Sequence, residues 1–166
     1  MKRIEITPEN PMLYVAALGG KELGRMEYTN WYSASAAIIT INDTEYKLGP
    51  KGFWHTSTDI FKDDAVVLNV ASRWQGGFVI TNPGEPLRSY TFRPQGWFKP
   101  GYEVVDYQNQ VLFSIQGNFV WKKLNSGFTI TCNDDFGNEE AEVLLMLLSV
   151  HLHKAMQTAA VIGAAS

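Results

Sequence analysis

Through the first 132 residues, apolar positions come in short runs, and each run stops at a turn signal. Met12–Leu18 ends at Gly19-Gly20, and the uncharged stretch from Ser33 to Ile41 ends at Asn42-Asp43. Further runs are Ala65–Val70, Gly77–Ile80, Tyr102–Val105, Val111–Ile115 and Phe128–Thr131, separated by Gly76-Gly77, Pro83-Gly84, Pro100-Gly101 and Ser126-Gly127. Their β-branched and aromatic content reads as strand. Many short strands at this spacing predict a sandwich or a barrel.

The pattern then changes. Asn133-Asp134-Asp135 and Asn138-Glu139-Glu140 precede an unbroken apolar run, Val143–Leu148, which Val150 and Leu152 extend. Acidic residues suit the positive end of a helix, and Asn138 or Asp135 is placed to cap it. A calcium loop fits poorly, because Gly137 follows Asp135 after a single residue and the alternating ligand spacing is missing. The spacing predicts a helix over residues 138–160, roughly. Consecutive apolar residues point in every direction around a helix, so this one must be enclosed rather than laid on a sheet. With strands as nearly all the other elements, the enclosure is a sheet curled around it. The expected fold is therefore mainly β: one domain over residues 1–166, an antiparallel β-barrel enclosing a hydrophobic C-terminal α-helix. Ser149, His151, His153 and Lys154 interrupt the apolar run well short of about 18 residues, so no transmembrane span is expected.

Two segments also match at an offset of 44 residues, Tyr46–Leu68 and Tyr90–Leu112. Tyr46, Pro50 and Gly52 correspond to Tyr90, Pro94 and Gly96, Phe53-Trp54 to Trp97-Phe98, Ile60-Phe61 to Val104-Val105, and Val67-Leu68 to Val111-Leu112. Proline breaks a strand ladder and glycine permits a bend, so Pro-x-Gly reads as a corner covered by the aromatic pair. A hairpin follows each corner, with polar tips at Lys62-Asp63-Asp64 and Asp106-Tyr107-Gln108-Asn109.

The hairpin YEVVDYQNQVLFSIQG (Tyr102–Gly117) and the run EVLLMLLSVHLH (Glu142–His153) together resemble the tubby C-terminal-like superfamily, which includes phospholipid scramblases and the plant LURP-one-related proteins. The first is similar to that family's aromatic-x-Val-x-Asp-x-x-Gly-x-x-Leu hairpin, with Asn109 where glycine is usual, a position that left-handed asparagine tolerates. A Gly-Phe-Trp corner and a WKKLN strand (Trp121–Asn125) also resemble small bacterial proteins. The resemblance implies a barrel of tubby-like type and a function in binding anionic phospholipid headgroups. No lipid-ligand motif of that family can be matched here residue by residue.

Composition narrows the function. Trp 5, Tyr 7 and Phe 9 stand against only 19% charged residues, which excludes a disordered chain. Lys+Arg 14 against Asp+Glu 17 leaves a net charge of -3, so nucleic acid is not an expected partner. The single cysteine, Cys132, cannot form an intramolecular disulfide and reads as a small buried residue in a cytoplasmic protein. Met1-Lys2-Arg3 begins like a signal peptide, but no apolar h-region follows.

Arg88, Arg93, Lys99, Lys122 and Lys123 are the basic candidates for a lipid-binding surface. On a strand, Lys122 and Lys123 point to opposite faces, and lysines outside a barrel ordinarily serve solubility and edge protection. His151 and His153 sit about 200° apart on a helix and so do not converge on a metal; they mark the helix's emergence from the core beside Lys154. His55, Ser57 and Asp59 lie close in sequence, yet no Gly-x-Ser-x-Gly elbow accompanies them. No motif points to catalytic residues, a metal site or a cofactor. The expected function is a non-enzymatic binding or scaffold module whose partner is an anionic membrane surface or a protein. The alternatives are a carrier of a small apolar ligand, which requires space that a Leu-rich helix is expected to fill, and an enzyme of unknown type.

Overall fold

Apolar residues at every second position give each strand one inward face, and the chain uses that face continuously. In a computed structural model, described for residues 1–30, 35–51, 57–120 and 125–165, it forms twelve strands and one helix. The strands are β1 (Lys2–Asn10), β2 (Leu13–Leu18), β3 (Lys21–Tyr28), β4 (Ala37–Ile41), β5 (Thr44–Lys51) and β6 (Ser57–Lys62), then β7 (Ala65–Ser72), β8 (Phe78–Asn82), β9 (Glu85–Pro94), β10 (Tyr102–Val105), β11 (Val111–Val120) and β12 (Asn125–Cys132). Each strand pairs antiparallel with the next, and β1 pairs with β12 from Lys2↔Cys132 to Ile6↔Phe128, which closes the barrel. Closure leaves no free sheet edge.

The helix α1 (Glu140–Ala165) runs through the middle, beginning two residues later and continuing five residues further than the sequence pattern indicates. Val143 to Leu148 are each at most 4% exposed, although they face every direction around the axis. The wall that covers them alternates as expected: Ile4 and Ile6, Ala37, Ile39 and Ile41, and Phe113 and Ile115 all point in. Ser149 is buried among them and donates to the Leu145 carbonyl at 2.8 Å, so its hydroxyl is satisfied within the helix.

The cap differs from expectation. Neither Asn138 nor Asp135 caps α1; Asn138 instead donates to the Asp135 carbonyl and accepts from Lys2 Nζ, both at 3.0 Å. One Glu142 carboxylate oxygen takes the backbone N–H groups of Gly137, Asn138 and Glu139 at 2.8, 2.9 and 3.1 Å. A glutamate in the third helical position reaches back to the N–H of Glu139, the residue that precedes the helix, and to the two N–H groups before it.

β1 and β3 carry outward charges (Arg3, Glu5 and Glu9; Lys21, Glu22, Arg25 and Glu27), which break up the apolar runs although their inward faces are apolar. Within β3, Gly24 faces the helix. A Cβ there would lie 3.1 Å from Ile41 Cγ1 and from the Thr40 carbonyl, and 3.2 Å from Leu147 Cδ1. The missing side chain lets α1 lean towards β3 and β4, where its closest backbone approaches lie. The helix is off-centre.

The duplication survives with one correction. Leu48↔Ile60 and Phe92↔Val104 are paired alike, at the offset of 44. Beyond the hairpin the offset becomes 45, because the second loop, residues 106–110, is one residue longer than residues 62–65. Val67 therefore corresponds to Leu112, and each is the extra residue of a β-bulge, between Ile60/Phe61 and between Val104/Val105 respectively. Asn109 adopts φ 64, the left-handed conformation that lets it replace glycine.

Candidate functional site

A closed meander places alternate connections at opposite ends, and the two ends have different chemistry. One end holds the turns at residues 19–20, 42–43, 63–64 and 83–84, the 106–110 loop and the 133–139 segment. These contain Asp43, Asp63, Asp64, Asp106, Asp134, Asp135 and Glu139, and neither Lys nor Arg. The other end holds the described residues 11–12, 29–30, 35–36, 73–77 and 95–101. These contain Arg73 and Lys99 and neither Asp nor Glu. They also contain Trp74 and Trp97. Trp31, Trp54, Trp121, Lys122 and Lys123 lie outside the described residues, as do Phe53 and His55.

Among the described residues of this end, Trp74 is 95% exposed and Trp97 and Phe98 are each 99% exposed. The expectation that Trp97-Phe98 covers a strand corner is thus overturned. The connection leaves the sheet at Pro94 and returns at Tyr102, so its tip stands clear of the wall. Its base is anchored: Gln95 N–H donates to the Gly101 carbonyl at 3.1 Å, and a Cβ on Gly101 would lie 2.5 Å from the Ile115 carbonyl. The 73–77 connection is held in the same way, since a Cβ on Gly77 would lie 2.0 Å from the Phe92 carbonyl. Both glycines have positive φ, so no other residue fits either place without strain. Two tightly seated connections present bulky aromatics to solvent.

The described basic candidates, Arg88, Arg93 and Lys99, do not gather at one place. Lys99 is exposed beside Trp97 and Phe98. Arg93 lies on the outer wall, bonded to Glu103 at 2.9 Å and to the Asn109 side-chain oxygen at 2.8 Å. Arg88 is near the acidic end, 3.4 Å from Glu85. Arg73 is half-buried, its guanidinium 3.4 Å from the Gly76 carbonyl.

The helix leaves the core at the tryptophan end through a polar collar. Tyr28 hydroxyl and His151 Nδ1 share a hydrogen bond of 3.0 Å. Lys154 donates to the Tyr14 hydroxyl at 2.9 Å and sits 4.3 Å from the centres of both the Tyr14 and Tyr28 rings. Burial, with Lys154 nearby, lowers the His151 pKa to about 4, and burial lowers that of Lys154 to about 8. His153 points elsewhere, its ring edge-on to Tyr102 and Phe128. The two histidines diverge as their helical spacing requires.

The remaining chemical candidates have structural partners. Cys132 is buried with its thiol pKa raised by burial, and Asp59 accepts from Asn69 at 2.7 Å. Among the described residues, no group of three or more His, Cys, Asp or Glu converges on a point. No family model, curated protein or solved structure matches the chain.

Proposed function

We propose that this protein is a non-enzymatic peripheral module that docks its tryptophan-bearing end on an anionic phospholipid surface. The observation that carries this reading is the exposure of Trp74, Trp97 and Phe98 beside Lys99, on connections braced by Gly77 and Gly101. Indole has an apolar body and a polar N–H, which favours the boundary between headgroups and acyl chains. Braced connections lose little conformational freedom when they insert. Lys99, exposed beside these aromatics, is attracted to anionic headgroups, at about 1 kcal/mol for a basic residue near the surface. The carboxylates of the opposite end are repelled by the same field and orient the barrel. The resemblance to the tubby C-terminal-like superfamily agrees with this reading. Among the described residues no helix is long and apolar enough to cross a membrane.

Vesicle co-sedimentation over a salt series tests the proposal. Wild-type protein pellets with phosphatidylserine-containing vesicles at low salt, less at high salt, and not with pure phosphatidylcholine. Trp97→Ser/Phe98→Ser and Trp74→Ser each fold normally, because these side chains are solvent-exposed, and each reduces binding. No binding to anionic vesicles at low salt, or undiminished binding by the combined variant, overturns the docking reading and leaves a protein partner as the occupant of this end.

A further inference from the structure

The off-centre helix leaves space on its other side. Because α1 leans on β3 and β4, a cavity of about 610 Å³ opens between the first turns of the helix and the inner wall of β5 to β11. The expectation that a Leu-rich helix fills the barrel is therefore corrected at this end. The volume lies within the roughly 300–1,000 Å³ typical of small-molecule sites.

The duplication builds its wall. Tyr46 and its counterpart Tyr90 line the cavity, as do the two bulge residues Val67 and Leu112. A bulge turns its extra side chain away from strict alternation, so Val67 and Leu112 reach the cavity although a regular strand would face them outward. Leu144 and Leu145 of the helix form the opposite wall. The polar groups are at the mouth: Lys62, Asp106, Glu139 and the exposed Glu85–Arg88 pair. Tyr46 donates its hydroxyl to Glu140, whereas the Tyr90 hydroxyl has no hydrogen-bond partner among the described residues.

We infer that this cavity is a binding site for a single amphipathic small molecule with an apolar body and a positively charged head. The body lies between the paired Val67 and Leu112 and the helix residues Leu144 and Leu145. The head stays at the mouth, where the carboxylates lining the cavity, Glu85, Asp106, Glu139 and Glu142, outnumber the cations Lys62 and Arg88. A carboxylate-headed amphiphile of the same length is disfavoured there. The site is at the opposite end from Trp74 and Trp97 and stands independently of the docking reading.

The test uses the intact protein and three defined probes. Neutral N-phenyl-1-naphthylamine is bound first and followed by fluorescence, then displaced with dodecylammonium or with dodecanoate, both below micelle formation. Saturable one-site binding is expected, with dodecylammonium displacing the probe at least tenfold more effectively than dodecanoate. Leu112→Trp, which fills the cavity from a partly buried position, lowers affinity at least tenfold, whereas Trp97→Ser/Phe98→Ser leaves it unchanged. Methyl NMR on wild-type protein supplies a readout independent of folding in the variant: dodecylammonium shifts Val67, Leu112, Leu144 and Leu145. Absence of saturable binding overturns the site. So do methyl shifts elsewhere only, or loss of binding in the Trp97 variant. Equal displacement by dodecanoate overturns the assigned head charge.

Discussion

Gly24 and Leu147 offer the most direct probe of how the helix is held. Leu147 is fully buried, and its Cδ1 lies 3.2 Å from where a Gly24 Cβ would be. Truncation by Leu147→Ala leaves a hole in a barrel whose twelve paired strands cannot collapse around it, so the cost is about 3–4 kcal/mol. Gly24→Ala overpacks the same contact. The new methyl meets Leu147, Ile41 Cγ1 and the Thr40 carbonyl within 3.2 Å, which costs about 1–3 kcal/mol. The two changes are not independent, because shortening Leu147 removes one of the three close contacts. The double variant is therefore less destabilised than the sum, by about 1 kcal/mol. Urea unfolding of wild type, both single variants and the double variant, with equal m-values, measures that coupling. Additivity within about 0.3 kcal/mol, or a Leu147→Ala loss below about 1 kcal/mol, refutes the close approach of α1 to β3.

Further outcomes follow from the collar and the cap. His151 is neutral when folded, with its pKa lowered from 6.5 to about 4. The unfolded chain therefore binds the extra proton between those values, and stability is full above about pH 6.5 and falls as pH drops towards 4. The contribution is about 3 kcal/mol. His151→Phe flattens that part of the urea-midpoint profile between pH 7 and 4.5, and an unchanged slope would sink the assignment. Glu142→Ala strips one acceptor from three N–H groups and costs about 1–2 kcal/mol in the same denaturation assay. A loss of only a few tenths would show that water replaces the carboxylate.

Local chemistry alone determined several features of this protein. Six consecutive apolar residues, Val143 to Leu148, demand an enclosed helix whatever surrounds them, because no face is left for water. Val104 and Val105 mark a strand, and the Asn42-Asp43 pair marks the turn between β4 and β5, through period and backbone preference. The repeat was visible because its corners and hairpins are local. The extra residue in its second loop was not, since only strand pairing shows which residues face one another. β1 and β3 were obscured by their outward charges, although Ile4, Ile6 and Met26 form part of the core.

Tertiary structure decided everything about the ends. Trp97-Phe98 reads as corner packing in one dimension, but burial depends on what lies opposite, and among the described residues nothing does. The separation of Trp74 and Trp97 from the carboxylates of the other connections is invisible along the chain, where the two kinds of connection alternate. Only the pairing of the strands sorts them onto opposite rims. Gly24, whose missing side chain is a single local fact, lets the helix approach β3 on the side away from the cavity. Sequence carries the preferences of neighbouring residues; the position of one element against another is set by packing between residues far apart in the chain.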